Sequence, residues 1–317
     1  MIIIWNTRLR PYPLVIYCDK ESYELIRAIR PEFLKDKTQY IICEFDDFCF
    51  VGEKIGGGGR VGSRVGGGRK IKSGGKTFRE YRKIIQENRR QKPYHSDPRN
   101  TASYYLFCMS RYIMLKCTID QNPFQSTHFA WINFCIERMG WQNVARLEEA
   151  LNVGRDRFST CYIDYIPREL VNNPIEYWKW GRCSMCSGFF TGNAEYMYKV
   201  CDLIENKFLE YLGAGYGHAD EQLYSPVYFE HPELFEHYYG DYQQMITNYK
   251  WIYDSPHTPI YNFIRNSYYA GEYKKCYEAC QVVFKSLCMK KCEINDEGLL
   301  RDLYFCYMQC KRIVGDF

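Results

Sequence analysis

Two adjacent carboxylates, Asp220 and Glu221, stand in the polar run Gly217-His-Ala-Asp-Glu-Gln222, just ahead of Leu223. In a cleft, such neighbours raise each other's pKa, which suits one of them to accept a proton; at a helix start they would only favour the dipole. Glu236-His-Tyr-Tyr-Gly-Asp241 adds His237, the flexible Gly240 and a further carboxylate, and Asn248-Tyr249 follows. Upstream, Cys186-Ser-Gly-Phe-Phe-Thr-Gly-Asn193 sets Gly188 and Gly192 around the aromatic pair Phe189 and Phe190. Glycines there would let backbone approach a ligand, with Thr191 and Asn193 bonding to hydroxyls. The same segment also reads as an ordinary turn, capped by Asn193 ahead of a helix over residues 194–209.

The 16 cysteines offer less. Cys183 and Cys186 make one Cys-x-x-Cys, and a structural zinc needs a second ligand pair that the spacing does not supply. Cys276 with Cys280, Cys288 with Cys292, and Cys306 with Cys310 each fall at i, i+4 on one helix face, where buried cysteine packs as a small hydrophobe. Six scattered histidines provide no selective partner for a nucleophilic thiol.

The elements that position these groups follow from pattern and composition. A chain of 317 residues, 46% hydrophobic and 17% aromatic, is long enough to bury a sizeable core. No apolar run approaches the roughly 20 residues of a membrane-spanning helix and the start does not read as a secretory signal, so the expectation is a cytoplasmic protein with reduced thiols. Pro13-Leu-Val-Ile-Tyr-Cys18 and Gln39-Tyr-Ile-Ile-Cys-Glu44 read as strands around a helix at residues 20–30. Further helices are expected at 78–88 and 100–116, and buried strands at Phe129-Ala-Trp-Ile-Asn-Phe-Cys-Ile136 and Thr160-Cys-Tyr-Ile-Asp-Tyr-Ile166. Such alternation points to an α/β domain over residues 1–260 with a mostly parallel sheet. Helical periodicity at 264–285 and 299–313 marks a helical C-terminal region, 261–317.

One tract stands apart. Residues 52–92 carry 13 Lys or Arg against three Glu, a local charge of +10 within a formal total of +4, so the remainder is acidic by six. Eleven glycines within 52–77 leave too few apolar side chains to offset the entropy of ordering them, so this reads as a flexible insert. Nucleic-acid binding through it ranks last among the functional readings, because no aromatic is interleaved for base stacking.

Taken in order, Asn122-Pro-Phe with Thr127-His-Phe-Ala-Trp-Ile-Asn133, Ser187-Gly-Phe-Phe-Thr-Gly-Asn193, Ala219-Asp-Glu-Gln222, Tyr238-Tyr-Gly-Asp241 and Asn248-Tyr249 resemble the HtrL/YibB-like family. That family is in turn similar to GT-A glycosyltransferases, and the resemblance runs from about Leu14 to Tyr249. It implies a Rossmann-like sheet that binds a nucleotide-sugar donor, with Trp131 and Asn133 at the donor end and a sugar site lined by Gly188, Phe189, Thr191, Gly192 and Asn193. It also implies a divalent metal, Mn²⁺ or Mg²⁺, near Asn133 and His237, and acid/base work by Asp220, then Glu221, with Gln222 and Gly240 beside the substrates. Two departures stand out. Asn133 occupies the place of the family's Asp and weakens a hard-cation site, since an amide oxygen lacks the charge of a carboxylate. The strand at 13–18 resembles the family's second strand, so the opening strand is missing from its expected place: the N-terminus is incomplete or the protein degenerate.

The resulting expectation is transfer of a sugar from a nucleotide-sugar donor to a hydroxyl of a glycan or other acceptor. The rival is a non-catalytic carbohydrate- or partner-binding protein on the same fold. From composition alone, deletion of residues 54–76 should leave the melting temperature within a few degrees of the parent, because loop-length entropy grows slowly. Differential scanning fluorimetry checks this, and a large loss would show that the tract takes part in the fold.

Overall fold

The computed structural model describes residues 12–44, 76–94, 98–133, 136, 144–236, 238–240, 242–252 and 259–315. Nearly all of the glycine-rich insert, together with His237 and Asp241, lies outside them. Strand β1 (Leu14–Cys18), helix α1 (Lys20–Ile29) and β2 (Thr38–Ile42) form the first unit. Asp19 caps α1 by accepting the Ser22 N–H at 2.7 Å, and β1 and β2 pair in parallel. After the insert comes α2 (Phe78–Gln91), opened by a Thr77/Glu80 capping box. Helix α3 (Ala102–Gln121) follows, capped by Thr101 and ended by Asn122 in the left-handed region at φ 36°.

Then come β3 (His128–Ile132), α4 (Leu147–Leu151), β4 (Ser159–Tyr162), α5 (Arg168–Val171), α6 (Pro174–Lys179) and β5 (Met185–Asn193). Next are α7 (Ala194–Gly213), α8 (Tyr224–Glu230) and the two-residue β6 (Tyr238–Tyr239). Three helices close the chain: α9 (Pro259–Tyr269), α10 (Tyr273–Cys288) and α11 (Glu297–Val314). The single helix expected over 264–285 is two, broken where Gly271 adopts φ +75°.

The fold is mixed α/β, but the sheet corrects the expectation of a mostly parallel one. β1 and β2 stand as a parallel pair, while the second sheet has the order β3-β5-β4-β6, with β5 antiparallel to both neighbours and only β4 and β6 parallel. The reason lies in the β4–β5 connection. A parallel partner needs a crossover that returns along the strand, and α5 and α6, with four and six residues, rise only about 6 and 9 Å. The chain instead turns back at the same end, so Tyr162 pairs with Met185.

Segment 187–193, read above as a ligand-facing turn, is most of the central strand β5, and Met185–Thr191 is buried throughout. Helix α3 lies beneath it, packed on α7 and α2, and is buried nearly all round from Tyr105 to Cys117. The Tyr17 hydroxyl donates to the Met114 carbonyl at 2.8 Å and so joins β1 to α3. The last helices are packed into the same core: Phe263 of α9 meets Tyr162 and Tyr239 with ring centroids 5.0 Å apart in each case. No helix among the described residues is long and apolar enough to cross a membrane.

The core of α3 carries a buried ion cluster, Lys116 Nζ lying 3.0 Å from Asp202 and 3.1 Å from Glu205 of α7. Burial pushes the Glu205 carboxyl up to about 7 despite Lys116 beside it. Stability from this group is therefore greatest with Glu205 protonated and declines as pH rises through about 7. Lys116→Met should cost about 3 kcal/mol near pH 8 by leaving the carboxylate uncompensated, and Lys116→Met with Glu205→Leu should recover most of it. Urea denaturation of both variants measures the difference; equal losses would show that the pair is not coupled.

Candidate active site at the end of the sheet

Strand β3 ends beside the middle of β5, with the Asn133 N–H donating to the Gly188 carbonyl at 2.8 Å. A Cβ on Gly188 would lie 2.6 Å from Met245 Cε and 3.5 Å from Asn133 Nδ2, so a larger residue here would have to displace the tip of the Met245 side chain. The next residue toward the N-terminus is the anchor of the site. Ser187 gives its N–H and hydroxyl to Glu221 Oε1, at 2.9 and 3.0 Å, and its carbonyl accepts Arg111 Nη1 at 2.6 Å.

Arg111 comes from α3 and is almost wholly buried. Its Nε donates to the Cys108 carbonyl at 2.7 Å, and Nη2 lies 3.5 Å from Asp220 Oδ2. The guanidinium also stands 5.9 Å from the Trp131 ring, whose Nε1–H donates to Asn133 Oδ1 at 2.8 Å. The contacts thus close a ring through Asn133, Trp131, Arg111, Asp220, Glu221, Ser187 and Gly188.

The two carboxylates differ sharply in setting. Burial, and then the like charge of Asp220, push the half-buried Glu221 up to about 7, against the pull of Ser187 and Arg111. Asp220 begins the short 3-10 turn Glu221–Leu223 but makes no capping bond, and buried Oδ2 has no hydrogen-bond partner among the described residues. Its role is therefore not that of a helix cap. Tyr104 and Tyr242, both partly exposed, stand near the pair, and Glu221 is the main cause that raises the Tyr242 phenol.

An apolar cavity of about 240 Å³ is lined by residues of both sheets, among them Leu14, Val15, Trp131, Thr191 and Gly192. Asn122, His128 and Arg155 add polar atoms. Trp131 is common to the cavity and the acidic corner.

Not every residue singled out in the sequence reaches these places. Phe189 is in the core against Tyr249, with centroids 5.4 Å apart, and Asn193 caps α7 by accepting the Tyr196 N–H at 3.1 Å. Gln222 is fully buried and exchanges hydrogen bonds with Tyr177, its Nε2 donating to the Tyr177 carbonyl at 3.0 Å while the phenol donates to the Gln222 carbonyl at 2.8 Å. Gly240 pairs with Tyr162 beyond β6 and fits tightly against Asn248 and Cys161. Arg111 and Ser187 were missed. Arg111 had left a signal, since a cation inside an apolar helical stripe needs a buried partner.

Among the described residues, no group of three or more His, Cys, Asp or Glu is arranged to hold a metal ion. The oxygen of Asn133 already accepts the Trp131 N–H, Asp220 faces a guanidinium, and His237 lies outside the described residues. Asn133 and Asp220 are thus each engaged already, one by an N–H donor and the other by a cation. Cys183 points toward Glu221 Oε2 at 3.9 Å and Cys186 is buried in β5, burial raising both thiols.

A family model described as "Bacterial protein of unknown function (HtrL_YibB)" matches residues 11–250. No curated protein and no solved structure matches the chain. The matched span includes β1 through β6 and every residue of the acidic corner, so the chain belongs to the HtrL/YibB family, whose function is unknown.

Proposed function

We propose that the chain is a glycosyltransferase that moves a sugar from a nucleotide-sugar donor to an acceptor hydroxyl, with Glu221 as general base. Its support is one observation: two adjacent carboxylates are held in unequal environments, one with its pKa moved to the working range of a base. Asp220 ranked first on sequence; the surroundings favour Glu221. Oε1 is engaged by Ser187, so Oε2 would take the acceptor's proton as the hydroxyl attacks the anomeric carbon and the nucleoside diphosphate departs. Asp220, whose Oδ2 faces Arg111 at 3.5 Å without a hydrogen bond, would accept one from a sugar or acceptor hydroxyl and hold it in line. The donor's nucleoside would occupy the cavity against Trp131, Thr191 and Gly192. The GT-A likeness belongs to this proposal, and no step runs through a metal.

The first experiment is release of nucleoside diphosphate from a panel of nucleotide sugars, with Mn²⁺ present and absent. Turnover above blank with any donor supports transfer. A nucleotide-dependent rise in melting temperature without turnover would favour the non-catalytic reading, and no response at all would remove the donor site.

Activity should rise with pH through about 7, because Glu221 must lose its proton before it can accept another. Glu221→Gln should lower turnover about 100-fold or more, abolish that limb and leave the melting temperature nearly unchanged. Asp220→Asn should instead shift the limb to lower pH, since a like charge has gone. A pH–rate profile on the three proteins decides; an unmoved limb in Glu221→Gln would exclude Glu221 as the base.

A further inference from the structure

Between the end of α7 and Asp220 the backbone forms neither helix nor strand. Its carbonyls are met instead by side chains from the last turn of α2 and its C-cap, Lys92. Asn88 Nδ2 donates to the Leu212 and Tyr216 carbonyls at 2.8 and 2.9 Å, and Lys92 Nζ donates to that of Ala214 at 2.8 Å. Arg89 takes the two carbonyls nearest the acidic pair, with Nε donating to Gly217 at 2.7 Å and Nη2 to His218 at 3.0 Å. The backbone of Gly217, at φ +146°, is in a conformation that favours glycine. The third nitrogen, Nη1, donates to the Asn100 carbonyl at 2.5 Å, and the Asn100 side-chain amide donates to the same His218 carbonyl. Asn100 stands just ahead of Thr101, the N-cap of α3, and α3 is the helix that brings Arg111 to Asp220. This guanidinium therefore works through its shape: a planar fork meets two adjacent carbonyls on one edge and a third on the other, which a single ammonium cannot do.

We propose that Arg89 is the positioning residue of the acidic corner: by clamping Gly217 and His218 against the start of α3, it fixes where Asp220 and Glu221 stand relative to Arg111 and Ser187. The chemical task of the pair rests on the function proposed above, whereas the clamp does not. Arg89 bonds to neither carboxylate among the described residues, so it acts through the short run of backbone from His218 to Asp220. With the clamp released, the Asp220 carboxylate is left facing Arg111 at 3.5 Å without a hydrogen bond, while Glu221 stays tied to Ser187 at 2.9 and 3.0 Å. The two then separate. Arg111 and the Cys183 thiol keep their places near Glu221, and what it loses is the like charge of Asp220.

The test compares the full chain with Arg89→Lys and Asn88→Ala. Lysine keeps the charge and suits a helix, but it cannot span both carbonyls. Asn88→Ala removes two hydrogen bonds from the same turn of α2, farther from the pair, and so measures general loosening. Hydrogen–deuterium exchange read by mass spectrometry should rise about tenfold over residues 219–223 in Arg89→Lys, whereas in Asn88→Ala the rise should stay within 212–217. Carbon-13 NMR of the Glu221 carboxyl, assigned by its absence in Glu221→Gln, gives the second readout. Its midpoint should move down from about 7 in Arg89→Lys and hold in Asn88→Ala. Equal exchange over 219–223 in the two variants, or an unmoved midpoint in Arg89→Lys, would overturn the clamp. A parent Glu221 that does not titrate near neutrality would remove it as the base, and exchange alone would then decide on Arg89.

Discussion

The buried guanidinium of Arg111 is the constraint from which the arrangement of the site follows. A charge taken out of water must be matched by partners on every side, because an unpaired ion in the interior is strongly destabilising. Arg111 finds them on three elements: the Cys108 carbonyl in its own helix, the Ser187 carbonyl in β5 and the Asp220 carboxylate in the turn after α7. Helix, central strand and acidic turn are thereby held at fixed separations. Ser187, oriented by this bond, donates both of its hydrogens to Glu221, so the position of the second carboxylate is inherited from that of the first pair.

The same constraint explains why the two carboxylates diverge. Asp220 has a cation beside it, while Glu221 is half-buried, accepts from the Ser187 N–H, the Ser187 hydroxyl and the Cys183 thiol, and has the charge of Asp220 as a neighbour, with a weaker pull from Arg111. Hydrogen bonds from Ser187 favour ionised Glu221, but burial outweighs them, and the result is a carboxyl that exchanges its proton near neutrality.

Much of the local structure was legible in the residues. The strands at 14–18 and 38–42, the cap at Asn193 and the helices at 78–91 and 297–314 follow from β-branched runs, polar caps and 3.6-residue periods. The central strand was not. Two glycines, a serine and a threonine in 187–192 look like a loop, because the usual strand signal is side-chain bulk, whereas at Gly192 the Arg157 backbone leaves no room for it and at Gly188 the tip of Met245 fills the space. Strand direction was equally hidden. Alternating strands and helices imply a parallel sheet only if each helix is long enough to cross, and the lengths of α5 and α6 emerge only in the fold. At the site, adjacency of Asp220 and Glu221 was plain, but which of them would be paired depended on Arg111, over a hundred residues away in the chain.

The close packing of α9 bears on how this protein changes over generations. The matched family span ends at residue 250, yet Phe263 of the segment beyond it forms an aromatic wall against Tyr162 of β4 and Tyr239 of β6. Both tyrosines are nearly fully covered, so a recombinant that exchanged residues 251–317 for an unrelated tail would bare two rings of the sheet that carries the acidic corner. The end of the matched span is thus not a seam in the packing: the terminal helices and the sheet share one core, and exchanging one without the other would take from Tyr162 and Tyr239 a ring that each packs against.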